Sequence, residues 1–237
     1  MSFKVSENNA AHPLFHSMKA ALFDLDGVIV DTARFHYLAW RELANGLGFD
    51  LSEHQNERLK GVSRMESLDV VLSIGGVTVS DAEKLRLATV KNARYVEMIQ
   101  RIDPSEILPG AREYLLALRS GGVKIVLGSA SKNAEIILRN LGIRPLFDAV
   151  IDGNQVSRSK PDPEVFLLGA QAVGVAPSAC VVYEDAAAGV AAAKAGGMRA
   201  VGIGRSENLP LADLVVPGLY ALLADDGNEA LEKTRNS

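Results

Sequence analysis

The sequence predicts an α/β fold, in which a doubly wound parallel sheet carries an inserted helical segment. Three observations favour this fold. Short apolar runs recur along the chain, helix-like stretches separate them, and residues 33–102 interrupt the alternation with a sequence that looks almost purely helical. Strands that alternate with helices are typical of a parallel sheet covered by helices on both faces.

The predicted strands are short apolar runs bounded by turn residues. The first run, Lys19–Phe23, stops abruptly at Asp24-Leu-Asp-Gly27. A run of that length with a turn behind it is typical of a buried strand. Similar runs predict further strands at 123–127, 149–151, 180–183, 199–203 and 213–216.

Helical patterns lie between these strands, at 110–120, 132–141, 163–174 and 186–196. The last of them is rich in alanine, which has the highest helix propensity, and it stops at Gly196-Gly197. Each of the four therefore reads as a helix between two strands.

Several residues in the inserted segment predict where its helices begin and end. Glycines divide it near 46–48, 61 and 75–76. Ser80-Asp-Ala-Glu83 predicts a capping box at the start of a helix that reaches about Gln100. Asp103-Pro-Ser105 then ends the helical stretch before the alternation resumes.

Length and pattern together predict one core domain with a smaller insert, since the chain has 237 residues. We expect an N-terminal extension, largely loop or disordered, at 1–17, a core domain formed by 18–32 and 104–237, and an α-helical cap domain at 33–103.

Composition narrows the class of protein. Hydrophobic residues make up 48% and charged residues 23%, which is an ordinary globular composition. A formal net charge of -4 gives no support for a nucleic-acid binder. The single cysteine, Cys180, excludes a disulfide framework and a multi-cysteine zinc site, and it fits a reducing cytoplasm. No apolar run approaches a membrane span and no secretory signal is apparent, so we expect a cytoplasmic protein without membrane or nucleic-acid partners.

Polar clusters follow several predicted strands, where ligands bind in open parallel sheets. Asp24 and Asp26 follow the first strand, Ser129–Asn133 follow the second, and Glu184-Asp185 follow the run that starts at Cys180. Acidic clusters that meet at one edge of a sheet repel each other unless a cation lies between them. Hard oxygen ligands of this kind suit Mg²⁺.

A basic residue, Lys160, lies in the loop Ser159-Lys-Pro-Asp162. A lysine, hydroxyl groups and backbone N–H groups at the start of a helix can form a phosphate cradle. Carboxylates, a divalent metal and a phosphate cradle together indicate phosphoryl transfer.

These residues resemble the four ordered motifs of the haloacid dehalogenase superfamily, over about residues 18–220. The matching segments are Asp24-Leu-Asp-Gly-Val-Ile-Val-Asp-Thr32, Ser129, Lys160-Pro161 and Glu184-Asp185. The resemblance implies a Rossmann-like core. The insert is more specific: Leu59–Arg64, Lys91-Asn92 and Ser129–Asn133 look like the β-phosphoglucomutases, whose small helical cap also follows the first strand.

The resemblance assigns roles at the core. Asp24 would be the nucleophile that forms an aspartyl-phosphate, and Asp26 the general acid/base. The Asp24 carboxylate, the Asp26 carbonyl and Asp185 would hold Mg²⁺, with Glu184 as a further ligand or beside one. The groups that would hold the transferring phosphoryl group are Ser129, Ala130 N–H and Lys160.

The resemblance also implies a second phosphate grip and a set of sugar contacts. Arg64 would grip the other phosphate because its planar fork matches phosphate oxygens. Thr32 would mark the hinge into the cap, and His36 and Trp40, four residues apart, share one helix face. The complete set of expected substrate-binding residues is Thr32, His36, Trp40, Gly61, Val62, Ser63, Arg64, Lys91, Ser131, Lys132 and Asn133.

Simpler interpretations stand beside these roles. Asp24 and Asp26 taken alone could form a turn, and Glu184-Asp185 could cap the next helix. Lys160 taken alone would be a solvated surface lysine. Trp40 and His36 could belong to the packing of the cap, and Cys180 to that of the core.

Three functions compete. The one that the resemblance implies is an intramolecular phosphotransferase that converts β-glucose 1-phosphate to glucose 6-phosphate through an aspartyl-phosphate and a bisphosphate. The first alternative is a phosphatase for small sugar phosphates, in which water attacks the phosphoenzyme. The second is a non-catalytic regulator that binds phosphosugars, and the intact Asp24/Asp26 pair argues against it. Disaccharide phosphates remain open as substrates, and we expect a monomer.

Overall fold

The computed structural model describes residues 12–59 and 62–224. A six-stranded sheet forms the centre of the protein, and all of its paired strands are parallel. Its strands are β1 Ala20–Phe23, β2 Lys124–Gly128, β3 Ala149–Ile151, β4 Cys180–Glu184, β5 Arg199–Ile203 and β6 Leu214–Val216. The predicted strands are thereby confirmed, each to within a residue or two of the expected bounds.

The order of the strands creates a crevice beside β1. The sheet runs β3-β2-β1-β4-β5-β6, so the chain moves outward from β1 to β3 and then returns to β4 on the other side of β1. Phe23 pairs with Leu127 of β2 and with Tyr183 of β4, so these strands end at the same edge. Ligands bind at such a reversal point, outside the carboxyl ends of the strands.

Helices from the insert follow β1. They are α1 Ala33–Gly46, α2 Glu53–Asn56, α3 Arg64–Gly75 and α4 Asp81–Ile99, which we call the cap helices. Apolar side chains of these helices, including Trp40, Leu68 and Leu87, form a hydrophobic cluster of their own. The far end of α4 packs differently, because Tyr95 and Ile99 join the main core.

Helices cover both faces of the sheet. They are α5 Ala111–Ser120, α6 Ala134–Asn140, α7 Glu164–Ala172 and α8 Ala187–Ala195. Phe23 of β1 packs on the face covered by α5 and α6, whereas Leu22 packs on the face covered by α7 and α8. This alternation is the period-two pattern of a strand buried on both faces. Short 3₁₀ turns lie at Glu57–Leu59, Pro104–Glu106, Arg144–Leu146, Pro177–Ala179, Ser206–Asn208 and Leu219–Leu222.

Two local expectations need correction. Ser80 accepts a hydrogen bond from Glu83 N, but the reciprocal half of the predicted capping box is missing because the Glu83 carboxylate binds Arg86 instead. Helix α6 begins at Ala134 rather than at Lys132, because the residues before it form consecutive serine turns.

The end of the predicted extension is packed against the core. Residues 12–17 form turns without helix or strand, as expected, but Leu14 is 5% exposed and belongs to the main core. The Leu14 carbonyl also accepts a hydrogen bond from Arg199, at the start of β5. Residues 12–17 are therefore not a loose extension. Residues 1–11 lie outside the described residues.

No helix in the described part of the chain is long and apolar enough to cross a membrane.

Candidate active site

Three buried charges meet at the carboxyl edge of the sheet. Asp24 follows β1, and Glu184 ends the neighbouring strand β4. Lys160 comes from the loop before α7. Its Nζ donates to Asp24 Oδ1 at 2.5 Å and to Glu184 Oε1 at 2.6 Å. Lys160 is only 3% exposed, so the two carboxylates replace the water that a surface lysine would have.

The charge of Lys160 follows from these partners. Burial by itself lowers the pKa of Lys160, but the carboxylates of Asp24 and Glu184 outweigh burial and hold that pKa above its usual value. Both carboxylate oxygens of Glu184 accept hydrogen bonds, since Oε2 accepts from Ala186 N at 2.8 Å. Glu184 therefore supports Lys160 from behind, and Lys160 presents a fixed positive charge beside Asp24.

The surroundings of Asp26 favour its neutral form, whereas those of Lys160 favour its charged form. Burial and the neighbouring Asp24 carboxylate raise the pKa of Asp26 from 3.8 to about 8. Its Oδ1 atom is buried and has no hydrogen-bond partner, which is unfavourable for a charged carboxylate. The raised pKa lets Asp26 keep its proton near neutral pH beside the Asp24 carboxylate. Such a pair can supply a nucleophile and a proton donor at neutral pH.

A divalent cation fits the loops after β1 and β4. The Asp185 carboxylate lies against the backbone of Gly27, since a Cβ atom at 27 would stand 2.2 Å from Asp185 Oδ2. Gly27 also has a φ of 76°, which favours glycine. Asp24 and Asp185 line the same cavity. Among residues 12–59 and 62–224 no cluster of three His, Cys, Asp or Glu side chains is placed to hold a metal. A Mg²⁺ ion held here would use one or two carboxylates, and a backbone carbonyl and water molecules would supply its other oxygen ligands.

The loop after β2 is wound into two successive serine turns. Ser129 Oγ accepts from Ser131 N at 3.1 Å, and Ser131 Oγ accepts from Asn133 N at 3.2 Å. The neighbouring loop buttresses this one, since Gly153 N donates to the Ser131 carbonyl and Asn154 Nδ2 to the Lys132 carbonyl. The turns give the loop a defined shape beside Asp24, as a phosphate cradle requires.

The cap helices bring a second group of side chains to the same cavity. Lys91 Nζ lies 2.8 Å from His36 Nδ1 and 4.5 Å from the centroid of the Trp40 ring. Burial, Lys91 and Arg64 hold the pKa of His36 well below its usual value. Burial and Arg64 lower the pKa of Lys91 to about 7. An ammonium group can only donate, so His36 accepts through Nδ1 whenever Lys91 carries its proton. Trp40 belongs to the hydrophobic cluster of the cap helices and also lines the cavity. Packing and substrate contact are therefore compatible roles for it.

Most of the residues that the sequence singles out face one cavity between the sheet edge and the cap helices. They are Asp24, Asp26, His36, Trp40, Val62, Arg64, Lys91, Ser129, Ala130, Ser131, Lys132, Asn133 and Asp185. The cavity therefore joins the residues expected to carry the chemistry to those expected to bind substrate.

The remaining described residues that the sequence singles out do not line this cavity. Lys160 and Ser63 line an adjoining groove between α3 and the loop before α7. Glu184 is buried behind Lys160, and Thr32 is fully buried at the start of α1, where its side chain makes no capping hydrogen bond. Gly61 lies outside the described residues.

Four further residues line the cavity without having been expected there: Ala33, Asn56, Leu59 and Ser67. Asn56 and Ser67 are polar and face the cavity from α2 and α3. Their spacing in the sequence carries no motif, so only the packing of the cap helices could place them.

Gly189 gives a test of how tightly Glu184 is held. A Cβ atom at 189 would stand 1.8 Å from Glu184 Oε1. Replacing a helical glycine by alanine usually stabilises a helix by about 0.5–1 kcal/mol. We expect Gly189→Ala to lower the free energy of unfolding and to reduce activity, because Glu184 must move away from Lys160.

The matched control is Gly46→Ala in α1, where nothing lies within 4 Å of the new Cβ atom. We expect this variant to be as stable as the wild type or slightly more stable. Urea unfolding of both variants measures the difference. An equal, stabilising effect at the two positions would show that Glu184 is not clamped.

Comparison with known proteins agrees with the geometry. Residues 18–197 match the haloacid dehalogenase-like hydrolase family. A β-phosphoglucomutase from Bacillus subtilis strain 168 is 44% identical over 201 residues, which are 84% of this chain and 89% of the relative. The solved structure of a β-phosphoglucomutase from Clostridium difficile superposes with a TM-score of 0.85 at 43% identity, over 93% of this chain and 100% of that chain.

A phosphatase is also similar. A phosphorylated carbohydrates phosphatase from Thermotoga maritima is 33% identical over 187 residues, covering 78% of this chain and 84% of the relative. The family match spans both the carboxylates after β1 and the Glu184-Asp185 pair after β4. This chain belongs to the haloacid dehalogenase-like hydrolase family.

Proposed function

We propose that this protein is a β-phosphoglucomutase, which isomerises β-D-glucose 1-phosphate to glucose 6-phosphate. The observation that carries the proposal is a single cavity lined both by Asp24 and Asp26 and by a second polar group at Arg64 and 131–133. A mutase that works through a sugar bisphosphate must hold two phosphates at once. A simple phosphatase needs only one phosphate site.

The reaction uses the two aspartates in turn. A phosphoryl group on Asp24 passes to the C6 hydroxyl of the substrate, while the Asp26 carboxylate takes the hydroxyl proton. The resulting β-glucose 1,6-bisphosphate presents its other phosphate to Asp24. Asp24 then attacks the phosphorus at C1, the bond to the sugar oxygen breaks, and Asp26 returns its proton to that oxygen. The phosphoenzyme is regenerated and the product is glucose 6-phosphate.

The remaining residues position the groups that react. Lys160 offsets negative charge beside Asp24, where it already holds Oδ1 at 2.5 Å. Ser129 and the Ala130 N–H bind the transferring phosphoryl group. Mg²⁺, held by the carboxylates of Asp24 and Asp185 and the carbonyl of Asp26, would supply charge that stabilises the transferring group.

The cap side of the cavity holds the sugar and the phosphate that does not react. Arg64 is the main cation on that side, and Lys132 and Asn133 complete the grip. His36, Trp40 and Lys91 contact the sugar. Trp40 and Lys91 are buried, which keeps water away from the phosphoenzyme. Water exclusion matters because hydrolysis of the aspartyl-phosphate is the competing reaction.

The alternative, a sugar-phosphate phosphatase, is favoured by the similar enzyme from Thermotoga maritima. The two functions differ only in whether a sugar or water accepts the phosphoryl group. Phosphorus NMR distinguishes them when the enzyme is mixed with Mg²⁺, β-glucose 1-phosphate and a trace of β-glucose 1,6-bisphosphate. We expect glucose 6-phosphate as the main product. Inorganic phosphate as the main product would contradict the mutase, and a parallel sample with a disaccharide 1-phosphate tests the sugar.

A further inference from the structure

Two asparagines join the cap helix α4 to the core helix α6. Asn133 Nδ2 donates to Asn92 Oδ1 at 3.0 Å, and Asn140 Nδ2 donates to the Ile99 carbonyl at 3.0 Å. The second pair lies seven residues further along both segments, from 133 to 140 and from 92 to 99. Seven residues are about two helical turns, so these stretches run side by side in the same direction.

The two contacts differ in what surrounds them. Asn133 is 8% exposed and lines the cavity at the end of the loop after β2. The Ile99 end of α4 belongs to the main core, away from the residues that line the cavity. An asparagine amide therefore donates to α4 twice, once at the site to the Asn92 side chain and once at the buried end to a backbone carbonyl.

Asn133 makes an unusual choice of partner. It occupies the N-cap position of α6, where an asparagine side chain normally accepts a backbone N–H and stabilises the helix by about 0.5–2 kcal/mol. Here its side chain makes no capping hydrogen bond. The amide is turned to reach Asn92 on the cap helix instead. A favourable local bond is replaced by one that joins the core to the cap helix α4.

The bond to Asn92 fixes the whole Asn133 amide. The backbone of Asn133 is already held by Ser131 Oγ through the serine turns. The amide group is planar, and its two N–H bonds point in directions about 120° apart. Once Asn92 accepts one of them, the direction of the other N–H and of the carbonyl oxygen is set. Asn92 is not among the residues that line the cavity, so it acts through Asn133.

We propose that Asn92 is a positioning residue that orients the Asn133 amide toward the phosphate that does not react. This inference rests on the proposed function, since that function requires a second phosphate in the cavity. Lys91, the neighbour of Asn92 on α4, faces the cavity directly. The same turn of α4 thus places one side chain on the substrate and a second on the residue that grips its distal phosphate.

The test compares Asn92→Ala with Asn140→Ala. Asn92→Ala removes the acceptor of the hydrogen bond at the site, and Asn140→Ala removes the donor of the hydrogen bond at the buried end. Alanine favours the helix at both positions. We expect Asn92→Ala to raise the KM for β-glucose 1-phosphate about tenfold, the effect of one lost hydrogen bond to a charged group. We expect hydrolysis of acetyl phosphate, which has no distal phosphate, to be unchanged. Asn140→Ala should lower the unfolding temperature and leave the KM unchanged.

A double variant adds a second readout. If Asn92 acts only through Asn133, then Asn92→Ala adds nothing to the KM of Asn133→Ala. Additive effects, a wild-type KM in Asn92→Ala, or equal loss of both reactions would overturn the inference. If the wild type released only inorganic phosphate, the mutase assignment would fail separately. The same comparison on hydrolysis of β-glucose 1,6-bisphosphate would still decide the role of Asn92, because that substrate also carries a distal phosphate.

Discussion

Asp24→Asn is expected to abolish phosphoryl transfer, with a loss of about 10⁴-fold or more in turnover, because an amide oxygen does not serve as the attacking group. The fold should survive. The amide oxygen of the variant can still accept from Lys160, and the buried group of Asp24, Lys160 and Glu184 changes from two negative charges and one positive charge to one of each.

Intact-protein mass spectrometry after incubation with acetyl phosphate and Mg²⁺ measures this directly. The wild type should gain one phosphoryl group and Asp24→Asn none. Circular dichroism and the unfolding temperature serve as the controls for folding. A variant that is folded and still becomes phosphorylated, or that turns over at the wild-type rate, would remove Asp24 from the role of nucleophile.

The core of the site was predictable because the fold itself gathers it. Short apolar runs identify parallel strands, and parallel strands end at one edge. Asp24, Ser129 and Asp185 therefore converge wherever the rest of the chain goes. For these residues, their position just after a predicted strand is enough to predict that they lie together.

The cap side was harder to predict because no such rule applies to it. Asn56 and Ser67 reach the cavity only through the packing of α2 and α3 around Trp40 and Leu68. Leu14 shows the same limit at the other end of the protein. A single leucine in a polar segment gives no periodic signal, yet it is buried against the core.

The sequence also could not predict which partners some side chains would choose for their hydrogen bonds. The Ser80–Glu83 spacing predicts a reciprocal capping box. Instead, the Glu83 carboxylate accepts a hydrogen bond from the charged Arg86 side chain. Glu184 could equally have faced a metal. Only the structure shows that both of its oxygens are already engaged, by Lys160 and by the Ala186 N–H.

Asp26→Asn is expected to separate proton transfer from phosphoryl transfer. The asparagine cannot donate or accept the proton, so transfer between Asp24 and a sugar oxygen should slow by about 10²–10⁴-fold. Phosphorylation of Asp24 by acetyl phosphate should be largely retained, since acetate leaves without needing a proton. The phosphoenzyme of this variant should also persist longer than that of the wild type, because attacking water needs a base as well. Quenched-flow measurement with each donor gives both rates, and equal losses with the two donors would contradict an acid/base role.

The pH dependence supplies an independent test of the same residue. Burial and Asp24 raise the pKa of Asp26 to about 8, so below that pH Asp26 carries the proton that the leaving sugar oxygen needs. Transfer from β-glucose 1,6-bisphosphate to Asp24 should therefore fall as the pH rises through the pKa of Asp26. In Asp26→Asn this alkaline limb should be absent, although the rate is low at every pH. Acetyl phosphate should show no such limb with the wild type, because its leaving group takes no proton from Asp26. An alkaline limb that remained in Asp26→Asn would assign the titrating group to another residue, and Lys91, with a pKa of about 7, would be the first candidate.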